Sequence, residues 1–272
     1  MVSSLNMNYL EPLGLQADAS VKQVEYTKLV DQLAHSQVRK NFEALGYQFI
    51  TFKGVYSWLN IQDSDLFIDN DETSSIFDRQ ETINFQYLFL RTSALMYVYD
   101  MRTASPQSIE ALPPLFLKYV YPDASIFTTR EYRQYQSNLY SLKRLKETVK
   151  MPGNKFVYAH LFTTHQPYVF NADGSFRYSQ IDDLNAYNQQ VLFTNPRIID
   201  IIKEILRESP VPPVIVIQGD HSFPLNRNRT KILNAYYLPD GGSQKLYPEI
   251  TPVNTFRLIF NTYFGMDYPL LD

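Results

Sequence analysis

The sequence contains no cysteine and a single tryptophan, and it has no apolar run near the length of about 20 residues that crosses a bilayer. Without cysteine, the chain has no disulfide bonds, no thiolate metal ligands and no cysteine nucleophile. Any metal ion must therefore be held by histidine and carboxylate side chains. The opening stretch MVSSLNMNYL lacks a basic segment followed by an apolar one, so no export signal is expected in it.

An excess of charge of one sign is also lacking. The formal net charge is −3, from 25 basic and 28 acidic residues that are mixed along the chain. Binding to a phosphate backbone requires a basic face, so nucleic acid is not expected as a partner. The sequence also lacks the GxSxG, HExxH, Walker A and GxGxxG motifs, which excludes the commonest competing classes of enzyme.

The composition that remains is typical of a globular protein. The 272 residues are 44% hydrophobic, which supports a sizeable core. No repeat, linker or low-complexity tract divides them, so a single domain over 1–272 is predicted. The 21 tyrosines fall mostly in apolar segments. They are interpreted as core and cleft lining, with a carbohydrate or lipid groove as the alternative.

Hydrophobic periodicity and breaker residues predict the order of helices and strands. Helices are predicted at 21–45, 82–99, 129–150 and 181–208. Strands are predicted at 47–52, 155–162, 214–218 and 232–238. Gly46 is expected to cap the first helix. The acidic stretch 55–80 is interpreted as a surface excursion rather than a calcium loop.

The alternation of strands and helices in the second half indicates the α/β class, with a mainly parallel sheet and helices on both faces. The strand 214–218 is apolar at consecutive positions, which is typical of a central strand buried on both sides. In such sheets, ligand-binding residues follow the carboxyl ends of the strands. The first residues after 155–162 and 214–218 are therefore candidates for a functional site.

Gly219, Asp220 and His221 directly follow the second of these strands. The glycine lets the backbone turn sharply, and the adjacent carboxylate and imidazole can point into one cleft and bind a divalent metal ion. In the alternative interpretation, Asp220 caps the following loop and His221 is partly exposed. The residue types alone leave both interpretations open.

His165 lies in the loop after strand 155–162 and can project toward the same cleft. His160 is expected inside that strand. It could contribute to the site, but the competing interpretation is a buried and hydrogen-bonded histidine without a functional role. His35 lies on the first predicted helix and is assigned no functional role. Three basic residues are interpreted as part of a solvated loop, with a contribution of positive potential to the site as the alternative: Arg227, Arg229 and Lys231.

Several segments, taken in order, resemble bacterial sulfatase-like proteins of the alkaline phosphatase and sulfatase superfamily, which are related to lipoteichoic acid synthases and phosphoethanolamine transferases. The segments are HQPYVF, PPVIVIQGDHS, ILNAYYLP and TPVNTFRL. The agreement is densest over 156–264. The resemblance implies an alkaline-phosphatase-like α/β/α fold of three layers with a mainly parallel central sheet.

The resemblance also implies roles for individual residues. Asp220 and His221 are expected to bind a divalent metal ion, with Mn, Mg, Ca and Zn all as candidates. His165 is expected at the sulfate or phosphate group of an ester substrate, and His160 behind the metal ligands. The implied reaction is displacement at sulfur or phosphorus by a metal-activated Thr, Ser or formylglycine, after which water or an acceptor alcohol releases the covalent group.

The sequence departs from the family's pattern at its start. Family members carry an opening strand that ends in an acidic metal ligand, and then the nucleophile, shortly before a segment like SSLNMNYL, which here directly follows Met1 and Val2. The first strand, that ligand and the nucleophile are therefore expected to be missing. No catalytic residue is assigned, and Ser3 and Ser4 are interpreted as residues at the start of a helix.

Impaired or absent activity is accordingly expected for this chain alone. The alternative function is that of a non-catalytic remnant or interaction module with the same fold. The resembled proteins are usually extracytoplasmic and membrane-anchored, whereas no transmembrane segment is expected here.

Overall fold

A computed structural model describes residues 1–15, 23–69, 130–177, 183–221 and 231–271. The α-helices in these ranges are α1 (Val2–Asn6), α2 (Gln23–Ala34), α3 (Gln37–Ala44), α4 (Arg130–Glu147), α5 (Leu184–Glu208) and α6 (Pro252–Tyr263). The strands are β1 (Gln48–Phe52), β2 (Leu66–Ile68), β3 (Lys155–Tyr158), β4 (Ile215–Gln218) and β5 (Asn234–Tyr237). Short 3-10 turns lie at Glu11–Leu13, Ser57–Leu59, Thr148–Lys150 and Gly242–Lys245.

The described strands form two sheets. The first is parallel, in the order β2-β1-β3, and Ile50 of β1 pairs with both Leu66 and Val157. The second is the antiparallel pair β4-β5, in which Ile217 lies opposite Ala235. The α/β class is therefore confirmed, with a parallel sheet of three strands. The antiparallel direction of β5 was not predicted, because an alternating pattern of residues does not specify strand direction.

Helices cover both faces of the parallel sheet. Side chains alternate between the two faces along each strand, so each strand packs against both layers of helices. On one face, Phe49 and Phe156 belong to a large core that includes side chains of α1, α3 and α6. On the other face, Ile50 and Phe52 pack with Tyr140 of α4. Helix α4 packs in turn against α5. The parallel sheet thus lies between two helical layers.

Helix α6 links the two sheets, since neighbouring residues on it contact one sheet each. The ring of Phe256 lies 5.9 Å from the ring of Phe156 in β3. The hydroxyl oxygen of Thr255 accepts a hydrogen bond of 2.7 Å from the side-chain amide of Gln218 in β4, and it lies 2.8 Å from the hydroxyl of Tyr236 in β5. Strands β3 and β4 therefore both contact the same helix.

The next residue of α6, Arg257, joins segments that are distant in the sequence. Its guanidinium donates hydrogen bonds to the carbonyl oxygens of Met7, at 2.7 Å, and Pro269, at 2.6 Å. The residue is only 9% exposed. A buried charge is costly unless it is hydrogen-bonded, so these two carbonyl contacts stabilise the buried guanidinium.

The prediction of one continuous helix over 21–45 is wrong. The segment divides into α2 and α3 at Ser36, whose hydroxyl accepts a hydrogen bond from the backbone N–H of Arg39 and so caps α3. The expected role of Gly46 is confirmed. Its φ is +77°, and the N–H groups of Gly46 and Tyr47 bond to carbonyls in the last turn of α3.

The interpretation of 55–80 as a surface excursion is wrong for the stretch that forms β2, the edge strand beside β1. Before this strand, Asp65 accepts a hydrogen bond of 2.7 Å from the backbone N–H of Phe49. A strand as short as β2 forms because pairing with β1 stabilises it, and this pairing is not visible in the local composition. Residues 70–80 lie outside the described ranges.

Two strand predictions are also corrected. Strand 155–162 is shorter than predicted and ends at Tyr158, which pairs with Thr51 near the end of β1. His160 therefore lies beyond the strand rather than inside it. Strand β4 is not buried on both sides as predicted: its four residues are half-buried, and β5 is its partner along one edge within the described parts of the chain.

Two helix predictions are confirmed. Helix α4 and the 3-10 turn after it cover most of 129–150, and α5 covers most of 181–208. The carboxylate of Asp183 caps α5 by accepting a hydrogen bond of 2.7 Å from the N–H of Ala186. The helix predicted at 82–99 lies outside the described residues. In the ranges that are described, no helix combines the length and apolar character needed to cross a membrane.

A buried arginine anchors α3. The side chain of Arg39 is 10% exposed and donates hydrogen bonds to the carboxylates of Glu43, at 2.6 Å, and Asp63, at 3.0 Å. Its guanidinium also lies 5.1 Å from the centroid of the Phe49 ring. Burial opposes the charge, but the hydrogen bonds to Glu43 and Asp63 prevail and raise the pKa of Arg39. This group therefore stays charged and bonded.

We expect Arg39→Lys to lower the free energy of unfolding by about 2 kcal/mol, because lysine keeps the charge but cannot reproduce the planar set of donors. Arg207→Lys is the matched control, since Arg207 pairs with Glu204 and Glu208 on the surface of α5 and should be insensitive to the same change. Urea denaturation measures both variants. Equal losses in the two would contradict a special contribution of the buried arginine.

Candidate functional site

The carboxyl ends of β3 and β4 meet at one edge of the structure. His165 follows β3 and His221 follows β4, and the centroids of their rings lie 6.4 Å apart. This proximity follows from the position of the two strands beneath α6. Candidate residues that the sequence assigns to two separate strands thus face one another.

Asp220 and His221 form the turn directly after β4. The backbone N–H of His221 donates a hydrogen bond of 3.0 Å to Oδ1 of Asp220, and Oδ2 of Asp220 lies 3.8 Å from Nε2 of His221. Two ligand atoms on one tetrahedral metal ion lie about 3.4 Å apart, so this spacing is close to what a shared cation requires. The side chains are 55% and 34% exposed, which leaves both accessible.

His165 is half-buried against two aromatic rings. The ring centroids of Phe162 and Tyr56 lie 5.4 Å and 6.3 Å from that of His165, both in edge-to-face orientation. Nδ1 of His165 contacts the carbonyl oxygen of Gln166, and the peptide bond between Gln166 and Pro167 is cis. The contact at Nδ1 leaves Nε2 as the ring nitrogen available to a ligand.

Two buried glutamines hold the loop that carries His165, and no motif in the sequence revealed them. Gln190 of α5 is fully buried, and its amide oxygen accepts hydrogen bonds of 2.8 Å and 3.1 Å from two successive backbone N–H groups after the loop. Its amide nitrogen lies 3.5 Å from the carbonyl oxygen of His165. Gln134 of α4 donates a hydrogen bond of 3.1 Å to the carbonyl of Pro167. Helices α4 and α5 therefore fix the position of this histidine.

His160 lies at the same edge, two residues beyond β3. Its ring centroid is 4.6 Å from that of Phe162, and its Nδ1 is buried without a hydrogen-bond partner in the described parts of the chain. Burial lowers the pKa of His160 to about 4, although the negative charge of Asp220 acts in the opposite direction. The imidazole is therefore neutral at neutral pH. A buried nitrogen without a protein partner fits a hydrogen bond to a ligand or to a water molecule.

Helix α1 packs against this edge as well. Ser4, whose side chain is buried, donates a hydrogen bond of 3.2 Å to the side-chain oxygen of Gln218 at the end of β4. The hydroxyl of Tyr158, at the end of β3, contacts the sulfur of Met1. Burial, reinforced by the charge of Asp220, raises the pKa of Tyr158. The interpretation of Ser3 and Ser4 as helix-start residues is confirmed.

Several candidate residues are not brought together. Among the residues that the structure describes, no group of three His, Asp or Glu side chains is arranged to hold a metal ion. Asp220 and His221 are therefore a pair of adjacent side chains without a third candidate ligand among the described residues. His35 instead lies 3.6 Å from Asp31 and 3.8 Å from Asp63. Lys231 is exposed, and the two neighbouring arginines, Arg227 and Arg229, lie outside the described residues.

Comparisons with family models, curated proteins and solved structures find no match to this chain. The functional argument therefore depends on the geometry of the site and on the chemistry of its side chains.

The buried His160 predicts a pH dependence of stability. Its pKa is about 4 in the folded protein against an ordinary value of 6.5, so the unfolded chain binds the proton more tightly. Above about pH 6.5 both forms are neutral and His160 has no effect. As the pH falls from about 6.5 to about 4, the free energy of unfolding drops by up to about 3 kcal/mol.

We expect His160→Gln to remove this part of the acid destabilisation. The measurement is urea denaturation of wild type and variant at a series of pH values, with a chelator present. His35→Gln, on the exposed end of α2, serves as the control and should follow the wild type. Parallel profiles for wild type and His160→Gln would show that His160 is not a buried neutral group.

Proposed function

We propose that this chain is a sulfatase-like domain of a metal-dependent hydrolase or transferase that acts on sulfate or phosphate esters, with an alkaline-phosphatase-like fold. The observation that supports the proposal best is the meeting of His165 with the pair Asp220 and His221 at neighbouring strand ends, with 6.4 Å between the two imidazole rings. A carboxylate and imidazoles around one accessible edge suit a divalent metal ion beside an anionic group.

Asp220 and His221 are the residues that would hold the metal ion. The carboxylate contributes negative charge and the imidazole a neutral nitrogen donor. Mn, Mg, Ca and Zn remain candidates, since this pair alone does not discriminate among them. When bound, such an ion offsets the negative charge that builds up on the oxygens of the ester group.

His165 binds the sulfate or phosphate group in this proposal. Nδ1 donates its proton to the carbonyl of Gln166, which orients the ring, and in the protonated imidazolium form Nε2 donates a second proton to a non-bridging oxygen of the substrate. The glutamines of α4 and α5 hold the loop in place, which limits the reorganisation needed on binding. His160 offers its Nδ1, which has no partner among the described residues, to a water molecule or ligand behind the metal ligands.

The proposed reaction uses a covalent nucleophile. A hydroxyl oxygen attacks sulfur or phosphorus, the ester oxygen leaves, and water or an acceptor alcohol then takes the group from the enzyme. No nucleophile is assigned among the described residues, since Ser4 is buried and donates its hydroxyl proton to Gln218. We therefore propose metal and oxyanion binding as the functions of the described site. The alternative function is that of a non-catalytic interaction module, which requires neither a metal ion nor an oxyanion.

Metal binding is tested by thermal unfolding with and without Mn²⁺, Mg²⁺, Ca²⁺ or Zn²⁺. A metal ion at about 100 times its dissociation constant stabilises the folded state by about 2.7 kcal/mol, which raises the Tm by about 5 °C or more. We expect Asp220→Ala to abolish the rise.

The control is Asp31→Ala, which removes an exposed carboxylate from α2 and should keep the full effect of the metal. If none of the four ions raises the Tm of the wild type, this chain is not a metal-binding domain of the proposed kind.

A measurement of oxyanion binding distinguishes the role of His165 from that of the metal ligands. We expect His165→Ala to weaken the binding of orthovanadate or sulfate by about tenfold, which corresponds to the loss of one charge-assisted hydrogen bond, and to leave metal affinity unchanged. Isothermal titration calorimetry measures both ligands, and His35→Ala is the control. Equal losses of metal and anion affinity would place His165 among the metal ligands.

A further inference from the structure

Two arginines of the protein are equally buried but differ in their electrostatic surroundings. Arg39 and Arg257 are each 9% exposed. The guanidinium of Arg39 is neutralised by the carboxylates of Glu43, at 2.6 Å, and Asp63, at 3.0 Å. In the described parts of the chain, the guanidinium of Arg257 has two backbone carbonyl oxygens as its acceptors and no carboxylate. A carbonyl oxygen does not cancel a full charge, so the charge of Arg257 is buried without a counter-charge.

The guanidinium of Arg257 also retains donors that the protein does not use. Its Nε donates a hydrogen bond to the carbonyl of Met7, and its Nη1 donates one to the carbonyl of Pro269. A guanidinium has N–H groups on all three nitrogens, so those of Nη2 have no acceptor among the described residues. The central carbon of the group lies 5.8 Å from the centroid of the Tyr268 ring, which attracts a cation but supplies no net negative charge. An acceptor with negative charge is therefore the missing partner.

Arg257 borders a cavity of about 410 Å³. The cavity lies between α1, α2, α3 and the chain that follows α6, and Asn6, Gln32, Lys40 and Tyr268 are among its lining residues. Its volume is within the range of about 300 to 1,000 Å³ that is usual for small-molecule sites. None of its described lining residues belongs to the candidate site, so this cavity is a second, separate location.

The charged side chains around the cavity are cationic. Lys40 of α3 is a second cation in the lining, and the described lining residues include neither aspartate nor glutamate. Carboxylates on the neighbouring helices are paired elsewhere, Asp31 with His35 and Glu43 with Arg39. Lys40 also lies in the first turn of α3, where the helix dipole adds positive potential. The cavity is therefore a favourable place for an anion.

Hydrogen bonds between the helices hold the wall of the cavity in place. The side-chain nitrogen of Asn6 donates a bond of 2.8 Å to the carbonyl of Gln32, which ties α1 to α2. The side-chain oxygen of Asn6 accepts a bond of 3.1 Å from the backbone N–H of Gln37, which ties α1 to α3. Asn6 itself is buried. A wall that is already ordered reduces the entropy lost when a ligand binds.

We infer that this cavity binds a small organic carboxylate. The carboxylate accepts hydrogen bonds from Nη2 of Arg257 and supplies the counter-charge that this buried guanidinium lacks, and the ammonium of Lys40 adds a second attraction. The side-chain amides of Asn8 and Gln32 also line the cavity and suit polar atoms on the rest of the ligand. The inference goes beyond the proposed function, since it requires neither a metal ion nor an ester.

A carboxylate fits this site better than a phosphate group does. It has two oxygens, and the donors left on Arg257 are few because two carbonyls already occupy Nε and Nη1. A phosphate group presents three terminal oxygens and a larger charge, and it requires more donors than these. The expected ligand class therefore differs from the sulfate and phosphate esters proposed for the candidate site.

The first test measures the binding of carboxylates and their neutral amides to the wild-type chain, with a chelator present and the ionic strength held constant. The pairs are acetate and acetamide, succinate and succinamide, free glutamate and glutamine, and benzoate and benzamide. We expect at least one carboxylate to bind saturably, and about tenfold or more tightly than its amide, because only the carboxylate neutralises the guanidinium. NMR titration locates the site, and the shifted backbone signals should be those of Asn8, Lys40 and Tyr268.

The second test reverses one charge of the lining. Lys40→Glu changes an exposed residue in the first turn of α3, where a carboxylate is compatible with the helix dipole. We expect it to weaken binding of the carboxylate by about tenfold or more. Lys203→Glu is the matched control, because Lys203 is exposed on α5, in the helical layer on the other face of the parallel sheet. It should bind the carboxylate like wild type, and the Tm of each variant confirms that it is folded.

The third test separates this inference from the proposed function. Asp220→Ala and His165→Ala change the candidate site and should leave the affinity for the carboxylate unchanged. Three results would overturn the inference: no carboxylate that binds more tightly than its amide, shifted signals at His165 and His221 in place of those at the cavity, or equal losses in Lys40→Glu and Lys203→Glu. The first test does not depend on the folding of any variant.

Discussion

The packing of α6 against two sheets at once is the constraint on which the rest of the structure depends. Thr255 and Phe256 are adjacent, and each contacts a different sheet. A rotation of the helix by one residue, about 100°, would break both contacts together. The spacing of β3 and β4, and with it the proximity of His165 and His221, is therefore set by the orientation of one helix.

Elements with ends set by local chemistry could be predicted from the sequence. Gly46 adopts a left-handed conformation that favours glycine, so the end of α3 was predictable. The break between α2 and α3 was not predicted, although Leu33 and Val38, which are buried on either side of it, are five residues apart, a spacing that does not keep two side chains on one face of a helix. Strand β2 was missed because its stability comes from β1, whose paired residues lie 16 positions earlier in the chain, as in the pairing of Ile50 with Leu66.

In the candidate site, too, residues with a local signal were predicted, whereas residues that act through contacts between separate elements were not. Asp220 and His165 were found because they follow apolar strands, and the end of a strand is a local signal. Gln190 and Gln134 were not found, because their hydrogen bonds to the His165 loop join separate elements. Glutamine at a buried position of an amphipathic helix is a signal that could have identified them. His160 was misplaced because the end of β3 depends on where β1 ends.

The contacts of Arg257 have a consequence for synthesis on the ribosome. This residue donates a hydrogen bond to Met7, 250 positions earlier, and its second acceptor, Pro269, is made later still. The apolar side chains of α1 therefore have no completed core to enter while most of the chain is being translated. Contacts of such long separation form slowly and leave apolar surface uncovered in the meantime. The nascent chain should depend on chaperones until α6 has emerged from the exit tunnel.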